Sequence, residues 1–420
     1  MSGARVHVVG GGLAGLAAAV SLARAGRAVT LYESSEHAGG RCRSFFDVEL
    51  GCRIDNGNHL LLAGNTAAMS YLAMTGALDT VEGPDEAMLP FVDFSTGERW
   101  EVRPGNGRIP WWVLSAARRV PGTRPRDYLA AARLRRAAPG TTVAEAFDCD
   151  SVLYRRLWQP FAVAALNTAA EEGAAVLFAR VVAETLGRGG AACRPLVPRE
   201  GLSETFVEPA LTCLRAAGGE IRFGARLRRI ELVGDRAAGL EFDGGAAALP
   251  AGDEIVLAVT APVAARLVPD LVVPDDYAPI VNAHYRIAAP PQTPLFVGII
   301  GGAAEWVFNK HGVLSVTVSA ADALVDRLAE ELAGLLWADV ARACGIAARP
   351  VPPTRIVKER RATFRATPAQ LRRRPQSATR WVNLVLAGDY VDTGLPATIE
   401  GAIRSGFAAA DLIAGRARPG

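Results

Sequence analysis

The 420-residue chain is half hydrophobic, 21% charged and formally +3. It is long enough for two domains with sizeable cores, and too near neutrality to be built chiefly for binding nucleic acid. Its six cysteines (42, 52, 149, 193, 213 and 344) form no C-x-x-C pair and have no histidines at zinc-ligand spacing, so reduced thiols in a cytoplasmic protein are expected and a metal centre is not. The chain enters an apolar strand almost at once and lacks the roughly 18 charge-free apolar residues of a spanning helix. A cytoplasmic protein, or one on the inner face of a membrane, is the expectation.

Val6-His7-Val8-Val9 reads as a buried parallel strand. It runs into Gly10-Gly11-Gly12-Leu13-Ala14-Gly15, with Gly10, Gly12 and Gly15 at the three glycine places of G-x-G-x-x-G. The first permits a tight turn, the second lets a pyrophosphate approach the backbone, and the third lets helix and strand pack closely. Residues 16–25, rich in Ala and Leu, are the expected helix, its N-terminal amides and dipole facing the phosphates. Residues 29–32 are the second strand. Glu33 closes it 18 positions after Gly15, where an acid accepts hydrogen bonds from a ribose. A lone glycine fingerprint is weak. Strand, loop, helix, strand and acid in order make dinucleotide binding the firm expectation.

The next signal is Gly39-Gly40-Arg41. It resembles the second glycine pair plus arginine of flavoproteins that include amine oxidases and carotenoid desaturases, which implies FAD rather than NAD. An arginine there offers planar donors to phosphate or ribose oxygens. Residues 109–136 pair Trp111 and Trp112 with a run of arginines, a composition that suits a membrane interface. Further on, residues 220–223 and 226–232 alternate like strands, and 255–259 reads as a strand returning to the parallel sheet. Gly298-Ile299-Ile300-Gly301-Gly302 lacks the remaining features of a second dinucleotide fingerprint, so no dedicated NAD(P)H domain is expected. Arg372-Arg373-Arg374-Pro375 reads as a solvated basic link. At the C-terminus an apolar strand ends in Gly388-Asp389, and a helix is expected to start near Thr398.

Three blocks carry a more specific resemblance. They are Asp55-Asn56-Gly57-Asn58-His59-Leu60-Leu61-Leu62; the stretch from Leu157-Trp158-Gln159-Pro160-Phe161 through Asn167-Thr168 and Glu171 to residues 195–204; and Ala362-Thr363-Phe364 with Pro368 and the Gly388 to Gly406 block. Together they resemble the hydroxysqualene dehydroxylase family, also called squalene-associated FAD-dependent desaturases, of bacterial hopanoid synthesis. One departure is Asn58, where the family usually has Gln.

The resemblance implies an α/β fold: a discontinuous Rossmann-type FAD-binding domain (1–82, 195–262 and 379–420) and a mixed α+β substrate domain (83–194 and 263–378). It also implies a cofactor site. This comprises Gly10, Gly12, Leu13, Ala14, Gly15, Glu33, Gly39, Gly40, Arg41, Gly57, Asn58, His59, backbone at Leu227 near the adenine, Gly388, Asp389 on the ribityl chain, and Thr398, Ile399 and Ala402 at the ring. The implied reaction is reduction of hydroxysqualene, an allylic C30 alcohol, to squalene with loss of water. Such a reaction needs a proton donor and shelter for an allylic cation. Candidate acids are His59, then Glu171 or Glu172, then Glu400. Candidate aromatic wall residues are Trp158, Phe161, Tyr285, Trp306 and Phe308. Electrons come from an external nicotinamide or redox protein, and the C30 substrate places the enzyme at a membrane. The alternatives are a carotenoid-type desaturase or an amine oxidase on the same fold, and a non-catalytic prenyl carrier.

Overall fold

The computed structural model describes residues 4–310 and 312–416; the outermost ends of the expected flavin domain, 1–3 and 417–420, lie outside them. Its centre is a five-stranded parallel sheet. In spatial order the strands are Glu220–Arg222, Ala28–Tyr32, Arg5–Val9, Glu254–Leu257 and Leu384–Leu386. By chain order this is 3-2-1-4-5, the doubly wound pattern with its switch point between the strand Arg5–Val9 and the strand Glu254–Leu257. The apolar runs have the character of strands covered on both faces: Val6, Val8, Val29, Leu31, Ile255, Val256 and Leu257 are all buried. The helix Leu13–Arg24 begins three residues earlier than its composition suggested, with Gly12 as its N-cap. It packs against the last helix, Ile399–Arg416. That crossing depends on Gly406, where an added Cβ would stand 2.2 Å from the Ala14 carbonyl oxygen.

A second sheet has seven strands, in the order Thr354–Phe364, Tyr277–Arg286, Val313–Val318, Trp306–Lys310, Phe296–Ile300, Leu89–Asp93 and Arg99–Val102. Only the pairing of Phe296–Ile300 with Leu89–Asp93 is parallel. Side chains alternate between its faces. Val281, Ala283, Tyr285, Val307, Leu314 and Val316 turn to the helix Ala329–Cys344, where Leu332, Leu336 and Trp337 complete a core. Ile280, Asn282 and Thr317 turn the other way, toward the parallel sheet. Among the described residues no helix is long and apolar enough to cross a membrane, and no cluster of three or more His, Cys, Asp or Glu could hold a metal.

Candidate functional site

At the switch point, beyond the carboxyl ends of the parallel strands, lies a cavity of about 780 Å³. Open α/β sheets bind ligands at this place. The glycine loop supplies its floor. A Cβ on Gly15 would meet the Gly10 carbonyl oxygen at 1.9 Å, and one on Gly10 would meet Ala258 O at 2.3 Å. Those two glycines serve close packing. Around Gly12 nothing lies within 4 Å of an added Cβ, so its backbone faces open space that a side chain would fill. Gly12 also bridges to Gly39, and Gly39 and Gly40 adopt φ of +107° and +60°, which side chains rarely tolerate. The two glycine motifs thus form one cradle, at the N-terminus of the helix Leu13–Arg24.

Glu33 stands at one end. Its carboxylate accepts the Gly11 N–H at 2.7 Å and the Ser35 N–H at 2.8 Å, and Leu227 lies on the same wall. Arg41 joins the N-terminal motif to the C-terminal one: its guanidinium meets the Asp389 carboxylate at 2.8 Å and donates to the Ala362 carbonyl. That carboxylate holds Arg41 above its usual value. Gly388 precedes it with φ of +154°, its N–H donating to Ser405 Oγ at 2.8 Å. Thr398 accepts the Gly401 N–H at 3.1 Å, capping the last helix, and Thr398, Ile399 and Ala402 line the cavity. The helix N-terminus therefore faces the space where a ring accepting electrons would gain from a positive dipole.

Opposite this helix, Gly57, Asn58 and His59 form the wall together with Asn282 and Thr317. Asn58 donates to Thr317 Oγ1 at 3.1 Å, and Thr317 donates to Asn282 Oδ1 at 2.8 Å. The short Asn58 amide is thereby tied to the large sheet. His59 faces the cavity rather than bulk solvent; desolvation lowers it to about 4, against the opposing pull of Asp55.

Three acid candidates require correction. The Glu400 carboxylate accepts the Ala67 and Ala68 N–H groups at 3.0 and 2.8 Å and pairs with Arg404 at 2.9 Å. It caps the helix Thr66–Thr75 and is committed to that structural task. Glu172 is exposed beside Arg365 at 3.8 Å, and Glu171 is also exposed; neither lines the cavity. Of the acid candidates only His59 does.

The aromatics divide similarly. Tyr285 is a correction: period-two alternation turns it to the far face, where its hydroxyl donates to Ala333 O at 2.8 Å and its ring packs on Trp337. Trp306 and Phe308 pair with Thr317 and Ser315, so they share the cavity-side face, but they pack with Phe296 away from the cavity wall. Trp158 and Phe161 pack around Phe178, also off the wall. Arg374, expected in a solvated link, is buried, its guanidinium donating to Leu395 O at 2.7 Å and Val391 O at 2.5 Å and lying over Phe364. Proximity to the loop after Asp389, invisible in a run of arginines, draws it inward.

Sequence reasoning missed a buried ion pair. Lys310 Nζ meets Asp55 Oδ2 at 2.6 Å, and Asp55 Oδ1 accepts from Ser44 Oγ at 2.6 Å and Leu202 N at 2.9 Å. Asp55 immediately precedes the Asn56 to His59 wall, so the pair pins that wall to the sheet. It also missed Glu305, which burial raises to about 7 and which accepts the Ser319 N–H at 2.8 Å. The usable signal was polar residues, Asn282 and His284, at alternate positions of an otherwise apolar strand.

A glycine-lined dinucleotide cradle opening onto such a sheet defines the class of this protein, a flavin-containing oxidoreductase. A family model described as flavin containing amine oxidoreductase matches residues 13–414. Among solved structures, a redesigned putrescine oxidase superposes with a TM-score of 0.72 at 18% identity, covering 99% of both chains. Cyclohexylamine oxidase from Brevibacterium oxydans gives 0.70 at 16% identity, covering 98% of this chain and 99% of its own. These likenesses concern the fold. The hydroxysqualene dehydroxylase of Rhodopseudomonas palustris is 48% identical over 98% of this chain and 99% of its own, and that of Zymomonas mobilis 45% identical over 97% and 98%. The chain belongs to the hydroxysqualene dehydroxylase family.

Proposed function

We propose that this enzyme binds FAD and converts hydroxysqualene to squalene in bacterial hopanoid synthesis, replacing the allylic hydroxyl with hydrogen and releasing water. The observation that carries this reading is near-full-length identity of 45–48% with three hydroxysqualene dehydroxylases. Two electrons and two protons balance the reaction, and the electrons come from an external nicotinamide or redox protein. The cavity fits FAD: its wall runs from Leu227 and Glu33, past Gly12, Gly40 and Arg41, to Asp389, Thr398 and Asn58. When bound in its reduced form, FAD supplies the hydride.

The chain's own residues do the rest. Gly12 and the helix amides after it receive the pyrophosphate, Glu33 the ribose, and Arg41 with Asp389 the polar chain leading to the ring. His59, which burial keeps neutral at pH 7, hydrogen-bonds the departing oxygen through its N–H but holds no ionisable proton there, so the proton that completes the water comes from solvent. The aromatic side chains on the cavity wall, Tyr277, Phe364 and Tyr390, supply faces for the substrate, while Trp306, Phe308, Trp158 and Phe161 lie in the apolar clusters away from that wall. In domain terms, 1–82, 195–262 and 379–420 hold the cofactor, and 83–194 and 263–378 hold the substrate. At about 0.8 kcal/mol per buried CH₂, a C30 chain stays in lipid, so the enzyme works at the inner face of a membrane.

The test is an anaerobic assay of reduced holoenzyme with hydroxysqualene, products separated by chromatography. Squalene should form in the reduced sample and be absent from the oxidised one. Reduced enzyme that leaves hydroxysqualene intact overturns the reading.

A further inference from the structure

Residues 108–136 contain eight arginines and a single acid, Asp127. This stretch is strongly cationic in a chain of net charge +3, so the remainder is net acidic and the charge is segregated. The stretch folds into two short turns, Trp111–Leu114 and Pro125–Leu129, followed by the helical turn Ala130–Leu134. The first two lie side by side. Trp112 and Tyr128 meet edge to face at 5.3 Å, and the Tyr128 hydroxyl accepts the Val120 N–H at 2.9 Å. Arg119 clamps the unit by donating to the carbonyls of Val113, Leu114 and Thr123.

This packing splits the segment's apolar residues. Trp112, Val113, Val120 and Leu134 are buried in a cluster that continues through Trp158 and Phe178 to Phe364 and Tyr390; the last two line the flavin cavity. Ile109, Trp111, Leu114 and Leu129 point out instead, 61–70% exposed. Four large apolar side chains on one turn pair exceed the scattered exposure of ordinary surfaces. Around them Arg108, Arg124, Arg126, Arg133, Arg135 and Arg136 are exposed. Among the described residues the ion pairs of this stretch are two 4.0 Å contacts, Arg118 with Glu86 and Arg126 with Asp127. The remaining cations have no carboxylate to neutralise them.

We propose that this face docks the enzyme on a bilayer containing anionic phospholipid. Ile109, Trp111, Leu114 and Leu129 enter the interfacial zone, and the arginines meet the phosphate headgroups. Charge complementarity selects the anionic surface; the exposed apolar quartet selects lipid over nucleic acid, whose phosphates would leave those side chains in water. The backing cluster joins the docked face to the cavity wall through packed apolar residues. This deepens the proposed function, since it rests on a substrate dissolved in the membrane.

The experiment uses the full-length holoenzyme, co-sedimented with phosphatidylcholine vesicles with or without added phosphatidylglycerol. Binding should favour the anionic vesicles. The doubly exposed variant W111S/L114S should weaken it at least about tenfold. The triple variant R133E/R135E/R136E should remove the preference for phosphatidylglycerol. Vesicle binding unchanged in both variants overturns the proposal. So does a wild type that ignores vesicles but self-associates in sedimentation velocity, with W111S/L114S monomeric, because the face would then meet a second copy. Turnover of detergent-dispersed hydroxysqualene separates the two readings: W111S/L114S should match wild type there. Failure of the wild type in detergent would remove the substrate assignment while leaving the vesicle result to be judged alone.

Discussion

Gly12 and Gly15 stand three positions apart in one fingerprint, yet a methyl group would have opposite consequences at each. Gly15→Ala drives a Cβ to 1.9 Å from Gly10 O, and backbone must move. We expect a lower melting temperature as well as loss of bound flavin. Gly12 has extended backbone at φ −73°, ψ 176° and open space around its Cβ position. Gly12→Ala should leave the apoprotein's melting temperature within about 2 °C of wild type while reducing flavin affinity, read by flavin fluorescence. An apoprotein that unfolds would mean the space is not the cradle described. Lys310 poses the complementary case of a buried charge. Lys310→Met leaves the Asp55 carboxylate in place without its cation, at a cost of about 3–5 kcal/mol. Thermal unfolding should detect this directly, and a loss under about 1 kcal/mol would show the pair to be solvent-screened.

Among the elements, the last helix carries the most weight. It meets the first helix at Gly406 and caps its own N-terminus at the cavity with Thr398. Gly406→Val should separate the two helices and destabilise by about 1–3 kcal/mol or more, with flavin retention falling in parallel. Just before that helix, the loop 389–395 is held from behind by Arg374, whose fork of donors reaches several carbonyls at once. A lysine cannot reproduce that geometry. Arg374→Lys should therefore retain the fold, seen by circular dichroism, but shed flavin at least about tenfold more readily on gel filtration. Full flavin retention would assign the loop's order to something else.

For the molecule as a whole, two histidines, the half-buried His59 and the buried His284, set an acid limit. Burial lowers His59 and His284 to about 4. Both are neutral in the folded protein at pH 6, whereas in the unfolded chain they titrate near the ordinary value of about 6.5. The unfolded state therefore binds more protons between pH 6.5 and 4. Stability should be flat above about pH 6.5 and fall as pH drops toward 4, by up to about 1.4 kcal/mol per pH unit for each histidine. Melting temperature against pH on the apoprotein measures this. His59→Asn should flatten the slope by roughly one proton, and an unaltered slope would show that His59 stays solvated.

The local part of this protein was legible in the sequence. Glycines 10, 12 and 15, Glu33, the Gly39-Gly40-Arg41 turn and Gly388-Asp389 are short-range signals, set by conformational freedom and by the spacing of strand, turn and helix. They determined the parallel sheet and the dinucleotide cradle. Tertiary structure decided what depends on contacts between distant segments. It sent Tyr285 to the far face by strand alternation, spent Glu400 on a helix cap, buried Arg374 and split Trp111 from Trp112. It also brought Lys310 to Asp55 across 255 positions. A side chain's partner, and hence its chemistry, is fixed by which surfaces meet when the sheets pack, and no local pattern of residues encodes that meeting.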